Sequence, residues 1–290
     1  MSADPSVNRD LAAYAARIDD LTALVGRTAA AILAFDPATA ARRRKPDGSF
    51  VSSADEAAQA VVLRGLGELF PGLPVVCEEA AASSRPAALG QCFALVDPLD
   101  GTREYLEGRP EFTVNLAIVC AGVAVLGVIA APALGLLWRG LLGRGAERLR
   151  FAAASASAIE EVRPIRTGPQ IPGLVRVAVS RSHLDADTAA LLSRLPVAER
   201  IVSGSSLKFC RLAEGAADLY PRLAPTSEWD IAAGDAVLAA AGGTVRRPDG
   251  KPVRYGGLAQ GFRVPAFLAF ADPAAVEEIL GATAGRKAPP

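Results

Sequence analysis

The sequence predicts a mixed α and β protein in two halves, an antiparallel helix-covered half followed by one in which strands and helices alternate. Three observations carry this. Two helical stretches open the chain, Val114 to Trp138 is nearly uncharged but broken by turn residues, and apolar strand-like and helix-like segments alternate beyond Pro172. At 290 residues the chain suits one large core or two packed domains, and the expected division is 1–150 and 151–290. Lys plus Arg and Asp plus Glu each total 31, so no charge excess argues for nucleic acid or an anionic membrane as partner. A hydrophobic content of 51% fits a packed chain rather than a disordered one.

Asp10 to Phe35 places Leu11, Tyr14, Ile18, Leu21, Leu24 and Val25 at helical spacing. Arg42-Arg43-Arg44-Lys45-Pro46-Asp47-Gly48 reads as a basic, turn-rich loop forming a solvated face. Ser53-Ala54-Asp55-Glu56 opens a second helix that runs to Phe70-Pro71-Gly72, with Asp55 a natural N-terminal acid. Leu73 to Cys77 is a short strand ending in Glu78-Glu79. Two adjacent acids repel unless something cationic sits between them, and their side chains leave a strand on opposite faces.

Val114 to Trp138 is long enough to span a bilayer on length alone. Asn115, Ala121-Gly122 and Ala131-Pro132 instead divide it into two or three short buried strands, so no membrane span is expected. Arg144 to Pro172, rich in Gly, Ala, Ser and Pro, is the expected domain boundary. Val175 to Val179 then reads as a strand, Asp185 to Leu195 and Ser206 to Glu214 as helices, and Asp218-Leu219-Tyr220 as a strand. Trp229 to Ala241 is a helix, with Trp229 most simply core. Thr244-Val245 and Ala266 to Phe270 are strands, and Pro273 to Leu280 is a last helix. Cys77, Cys92, Cys120 and Cys210 show no C-x-x-C spacing and are expected as buried, reduced thiols, which suits a cytoplasmic protein. The N-terminus shows no apolar h-region, so no signal peptide is expected.

The chemistry gathers at Asp97-Pro98-Leu99-Asp100-Gly101-Thr102, which follows the apolar strand Phe93-Ala94-Leu95-Val96. Paired carboxylates supply hard oxygen ligands for Mg²⁺, and free backbone N–H groups suit a phosphate. A D-x-x-D turn alone fits simple capping equally well. Asp55, Glu78, Asp97, Asp100 and Asp230 all end strands or begin helices. If they converge, only cations make the cleft tolerable, and with Mg²⁺ the set becomes a site for phosphoryl transfer.

As an ordered set, Glu78-Glu79, Asp97-Pro98-Leu99-Asp100-Gly101-Thr102 and Trp229-Asp230-Ile231-Ala232-Ala233-Gly234 resemble the inositol monophosphatase superfamily. Arg103-Glu104-Tyr105 and Glu111-Phe112-Thr113-Val114-Asn115 are similar to its bacterial 3′(2′),5′-bisphosphate nucleotidase branch. Ser180-Arg181-Ser182-His183, Gly204-Ser205-Ser206-Leu207-Lys208-Phe209-Cys210 and Leu219-Tyr220-Pro221-Arg222 add to that finer match.

The resemblance implies a layered α-β-α-β-α sandwich of the inositol monophosphatase / fructose-1,6-bisphosphatase type, with the site between its halves. It implies two or three Mg²⁺ ions held by Glu78, Asp97, Asp100, Asp230 and the Leu99 carbonyl. Asp55 and Thr102 would orient and deprotonate the attacking water, with Glu78 helping through its metal. The Gly101 and Thr102 amides would hold the phosphate, and Ser180, His183, Ser205, Lys208 and Arg222 would contact the nucleotide. His183 is the only histidine, and ligand contact suits it better than a general-base role.

The activity implied is hydrolysis of the 3′-phosphate of adenosine 3′,5′-bisphosphate, linked to sulfate assimilation and sensitive to Li⁺. 3′-Phosphoadenosine 5′-phosphosulfate is a further candidate substrate. Inositol monophosphate and fructose 1,6-bisphosphate are the alternative substrates, and nucleotide sensing without turnover is the alternative of another class. All five acids and Thr102 are present, so nothing in the sequence disables catalysis. The expected partner is a small phosphate ester, and the expected assembly a monomer or homodimer. Ser49-Phe50-Val51-Ser52 and Ala80 depart from the family's usual residues without replacing a ligand.

Overall fold

In the computed structural model the described residues are 11–45, 48, 50–80, 86–151, 159–171, 173–181 and 184–284. Helix α1 (Ile18–Leu33) leads to strands β1 (Arg42–Arg44) and β2 (Phe50–Ser52), helix α2 (Ser53–Leu69) and strand β3 (Val75–Cys77). Strand β4 (Cys92–Asp100) runs into a one-turn helix α3 (Thr102–Leu106). Strands β5 (Thr113–Cys120), β6 (Val123–Ala131), β7 (Leu136–Leu141), β8 (Gly145–Phe151) and β9 (Ile159–Ile165) follow as a meander. Then come β10 (Val175–Ser180), α4 (Ala186–Leu192), β11 (Val197–Ser203), α5 (Leu207–Ala213), β12 (Leu219–Arg222), β13 (Thr226–Ser227) and α6 (Glu228–Ala240). Strands β14 (Thr244–Arg246), β15 (Arg263–Val264) and β16 (Phe267–Phe270) and helix α7 (Val276–Ala284) complete the chain.

The seven-stranded sheet has the order β3-β4-β5-β6-β7-β8-β9, antiparallel throughout except for the parallel β3–β4 pair. The five-stranded sheet is mixed, in the order β11-β10-β12-β16-β14. Helices α1 and α2 cover one face of the first sheet, and α5 and α6 fill the space between the sheets. Helices α4 and α7 cover the far face of the second sheet, where Leu191, Val276 and Ile279 pack on Val177 and Leu268. The result is five layers, α-β-α-β-α.

Both faces of β4 to β7 are buried, which explains why Val114 to Trp138 reads as an almost continuous apolar run. On β5, Val114, Leu116 and Ile118 face α1 and α2, whereas Ala117 and Val119 face α6. Helix α6 lies between two sheets and is apolar nearly all round. It sits close to the first sheet because Gly127 and Gly140 carry no side chain. A Cβ at Gly140 would lie 2.7 Å from the Val237 Cα, and one at Gly127 would overlap the Ala233 carbonyl.

Several expectations need correction. Helix α1 begins at Ile18, not Asp10; residues 11–15 are helical but separated from it by a turn. The stretch Arg144 to Pro172, expected to be a boundary, supplies β8 and β9 and extends the first sheet to Ile165. Strand β11 was not expected, because most of it is exposed and it shows no apolar pattern. Cys92 and Cys120 are not reduced thiols. They stand directly opposite each other in the β4–β5 ladder, 4.2 Å apart at Cα, and form a disulfide. Cys77 and Cys210 are the buried free thiols. No helix among the described residues is long and apolar enough to cross a membrane.

Candidate active site

Asp97 and Asp100 are three residues apart, a spacing that in a regular strand sends side chains to opposite faces. Here Asp97 pairs with Asn115 and Asp100 with Thr113, so three steps on β4 match two on β5. The extra residue is a bulge at Pro98-Leu99, a position proline tolerates because it has no N–H to give the ladder. Asn115 and Thr113 share a face, and the bulge therefore puts both acids on that face. Gly101, at φ +89°, turns the chain into α3 in the left-handed region that glycine adopts without strain.

Glu78, just past β3, and Asp230, in the first turn of α6, reach the same place. Glu78, Asp97 and Asp230 each bring a carboxylate oxygen to within 4.8 Å of the others. Asp230 is fixed by the Ser227 N–H at 3.0 Å and by the Thr226 hydroxyl, both donating to its Oδ2. Asp100 Oδ2 accepts from the Asn115 amide at 3.4 Å and has Ser206 Oγ at 3.2 Å. Ser206 Oγ also lies 2.8 Å from the Asp230 carbonyl, so this one hydroxyl ties two of the acid-bearing segments together.

Burial and mutual repulsion push Glu78, Asp97 and Asp100 toward their protonated forms. Burial, followed by the charges of Asp230 and Glu79, raises Glu78 to about 7 against the pull of Lys45. Burial and the Asp230 charge raise Asp100 to about 6. Asp97, buried among Glu78, Asp100 and Asp230, is held well above the usual carboxylate range. A cluster of hard oxygen donors that resists its own ionisation fits a hard divalent cation, which would relieve the repulsion.

Asp55 is wholly buried at the start of α2. Its Oδ2 accepts from the Ser52 N–H at 2.8 Å and the Ser52 hydroxyl at 2.6 Å, closing a capping box. Its Oδ1 accepts from Thr102 Oγ1 at 3.0 Å. Capping and a link to the metal turn are therefore both properties of Asp55. Burial raises its pKa, and the Ser52 and Thr102 bonds oppose that rise.

One cavity of about 290 Å³ lies between the two halves. Glu78, Asp97, Leu99, Asp100, Gly101 and Thr102 line it from the first half. Ser180, Ser205, Lys208, Arg222 and Asp230 line it from the second. Asp55 stands behind Thr102, and His183 lies outside the described residues. Lys208, 2% exposed, gives two of its three donors to the Ser203 and Ser205 carbonyls, at 3.4 and 2.5 Å. Burial lowers its pKa to about 8, against the pull of Asp100. Among the described residues, Arg222 Nε and Ser205 Oγ are buried without a hydrogen-bond partner. Ser205 holds φ +40°, an unusual conformation for a residue with a side chain.

Sequence reasoning missed Lys45. It read the basic run as solvated, yet Lys45 Nζ lies 2.9 Å from Glu78 Oε1 and 2.5 Å from Glu79 Oε1. Burial pulls the Lys45 pKa down, but these two acids outweigh it and raise it overall. The adjacent acids were the available signal, since they require a neighbouring cation. Ser206 and Asn115 were also missed as partners of Asp100, because each lies on a separate segment. Thr226 was missed because only the turn into α6 aims its hydroxyl at Asp230.

Comparison with known proteins matches this architecture. The inositol monophosphatase family matches residues 20–281. The chain is 41% identical over 231 residues to the 3′(2′),5′-bisphosphate nucleotidase CysQ of Escherichia coli strain K12, covering 77% of this chain and 88% of that protein. It is 33% identical over 227 residues to a histidinol-phosphatase of Mycobacterium tuberculosis, covering 74% and 80%. The crystal structure of CysQ from Bacteroides thetaiotaomicron superposes with a TM-score of 0.70 at 30% identity, over 88% of this chain and 97% of that one. Enzymes of this family are metal-dependent phosphatases acting on small phosphate substrates. The five-layer sandwich, the bulged acid turn and the match over most of its length place this chain in the inositol monophosphatase family.

Proposed function

We propose that this chain removes the 3′-phosphate of adenosine 3′,5′-bisphosphate, giving AMP and phosphate, with two or three Mg²⁺ ions as cofactor. The observation that carries this reading is the cavity's two unlike walls. One wall holds Glu78, Asp97 and Asp100, and the other, from the second half, holds the cations Lys208 and Arg222 together with Asp230, which completes the acid cluster. A substrate with a scissile phosphate and a second, remote anionic group satisfies both walls at once. The CysQ relatives support the same choice. The assembly proposed is a monomer or homodimer with no nucleic-acid partner. With Cys92 and Cys120 paired, thiol usage does not support the proposed cytoplasmic location, which rests on the likeness to the bacterial CysQ relatives.

Glu78, Asp97, Asp100, Asp230 and the Leu99 carbonyl would hold the ions. When bound, they supply Lewis-acid neutralisation of the phosphoryl oxygens and a more acidic water. Thr102 Oγ1 gives its own hydrogen to Asp55 Oδ1, leaving its lone pairs to accept from a water in the cavity. The water's proton then passes to Thr102 Oγ1 as the Thr102 hydrogen moves to Asp55 Oδ1. Ser52 fixes the other Asp55 oxygen, so the acceptor does not swing away. The Gly101 and Thr102 amides orient the phosphate, and Ser180, Ser205, Lys208 and Arg222 hold the rest of the nucleotide.

The test is kcat/KM with Mg²⁺ for adenosine 3′,5′-bisphosphate, inositol 1-phosphate, fructose 1,6-bisphosphate and histidinol phosphate. The bisphosphate nucleotide should lead by at least tenfold, and chelation should abolish turnover. A clear preference for any of the others overturns the reading.

A further inference from the structure

Glu111 and Arg181 are seventy positions apart, and the catalytic account gives neither residue a role. In the structure they meet. Arg181 Nε donates to Glu111 Oε2 at 2.7 Å, and its NH2 group donates to Oε1 at 3.1 Å, a two-pronged fork. Glu111 precedes β5 in the first half, and Arg181 follows Ser180 at the end of β10 in the second. The pair thus spans the two halves beside the cavity. A second contact at the same seam is steric. A Cβ at Gly204 would lie 2.6 Å from the Glu111 carbonyl oxygen and 3.3 Å from the Glu104 Cγ, so the Ser203–Ser206 turn rests directly on the Glu111 backbone. The Arg181 N–H also donates to the Ser203 carbonyl at 3.3 Å, tying the fork to that turn.

These contacts hold what the substrate must bridge. The turn behind Arg181 carries Ser205 and leads into Lys208, while Glu111 backs onto Gly101 and the acid turn. We propose that Arg181 and Glu111 form a latch that sets the distance between the acid turn and the segment carrying Ser205 and Lys208, while Asp230 is held separately by Thr226 and Ser227. The latch thereby selects substrates that touch both walls, such as a nucleoside bisphosphate, over those that touch only the first. Neither residue is a ligand in this account; both are positioning residues. The inference rests on the nucleotidase reading above, since only a two-ended substrate senses the gap.

The two halves also meet through the buried core around α6, so loss of this one fork should leave the fold intact. The test compares wild type with Arg181→Glu, Glu111→Arg and the double reversal. Each single variant should raise KM for adenosine 3′,5′-bisphosphate roughly tenfold with kcat within twofold, and the double variant should recover most of the loss. Inhibition by inorganic phosphate, which fits the acid cluster and needs no contact with Ser205 or Lys208, should be unchanged in all of them. An unchanged KM in both single variants overturns the latch, and so does a double variant no better than either. If wild type itself fails to hydrolyse the bisphosphate, the nucleotidase reading falls, and the latch with it.

Discussion

Thr102 Oγ1 donates to Asp55 Oδ1 across 3.0 Å and so joins the turn after β4 to the first turn of α2. Neither residue touches the acid cluster through this bond; its role is to place a hydroxyl and a carboxylate in series. Thr102→Ala should therefore lower kcat about 100-fold with KM changed less than threefold, on the usual scale for assisted proton transfer. Asp55→Asn should lose roughly 10²–10⁴ in kcat. Steady-state kinetics at saturating Mg²⁺ check both, and changes confined to KM would return the pair to a capping role.

The crowded acids predict an unusual pH dependence for metal-free protein. Glu78 at about 7 and Asp100 at about 6 lie above their ordinary values of 4.5 and 3.8. The folded state therefore keeps protons that the unfolded chain releases, and its stability falls as pH rises from about 4 to 7. Asp235, raised to about 6 by burial, acts in the same direction. Thermal unfolding in a chelator should show Tm declining between pH 5 and pH 8, with saturating Mg²⁺ removing most of the decline. A Tm that climbs through this range in chelator contradicts the cluster.

Lys45 is the internal counter-ion of that cluster. Its replacement by methionine leaves Glu78 and Glu79 adjacent with their nearest ammonium gone. Lys45→Met should lower Tm in chelator by about 5 °C, and Mg²⁺ should narrow the gap by supplying the missing positive charge. Equal Tm values for wild type and variant without metal would show that the pair contributes nothing.

Gly127 and Gly140 let α6 approach the first sheet, and α6 carries Asp230. Gly127→Ala drives a methyl into the Ala233 backbone. Mg²⁺ activation should weaken at least tenfold, and Tm should fall. Gly67→Ala is the control. A Cβ there meets nothing within 4 Å, and the exchange, in the last turn of α2, should be neutral to slightly stabilising. An unchanged Mg²⁺ requirement in Gly127→Ala would separate the helix seat from the metal site.

Much of this was legible in the sequence where local pattern and tertiary context agree. Strands β4 to β7 showed as apolar runs because both their faces are buried, unlike the part-exposed β8 and the exposed β9, and Asp97, Asp100 and Asp230 showed as acids at element ends. The bulge at Pro98-Leu99 was not legible, since it is defined by a partner strand. The same holds for the disulfide. Cys92 and Cys120 sit at far ends of two strands, and only the ladder register sets them face to face. Lys45 looked solvated because its acids lie 33 and 34 positions away. Strand β11 lies at a sheet edge, where exposure erases the apolar alternation that marks a strand.

Product analysis tests the central claim most directly. Wild-type protein with Mg²⁺ and adenosine 3′,5′-bisphosphate should yield adenosine 5′-monophosphate and one equivalent of phosphate. Asp97→Asn, folded and assayed identically, should yield neither. Release of adenosine 3′-monophosphate, or undiminished turnover by Asp97→Asn, would contradict the assignment of both the substrate's orientation and the acid cluster.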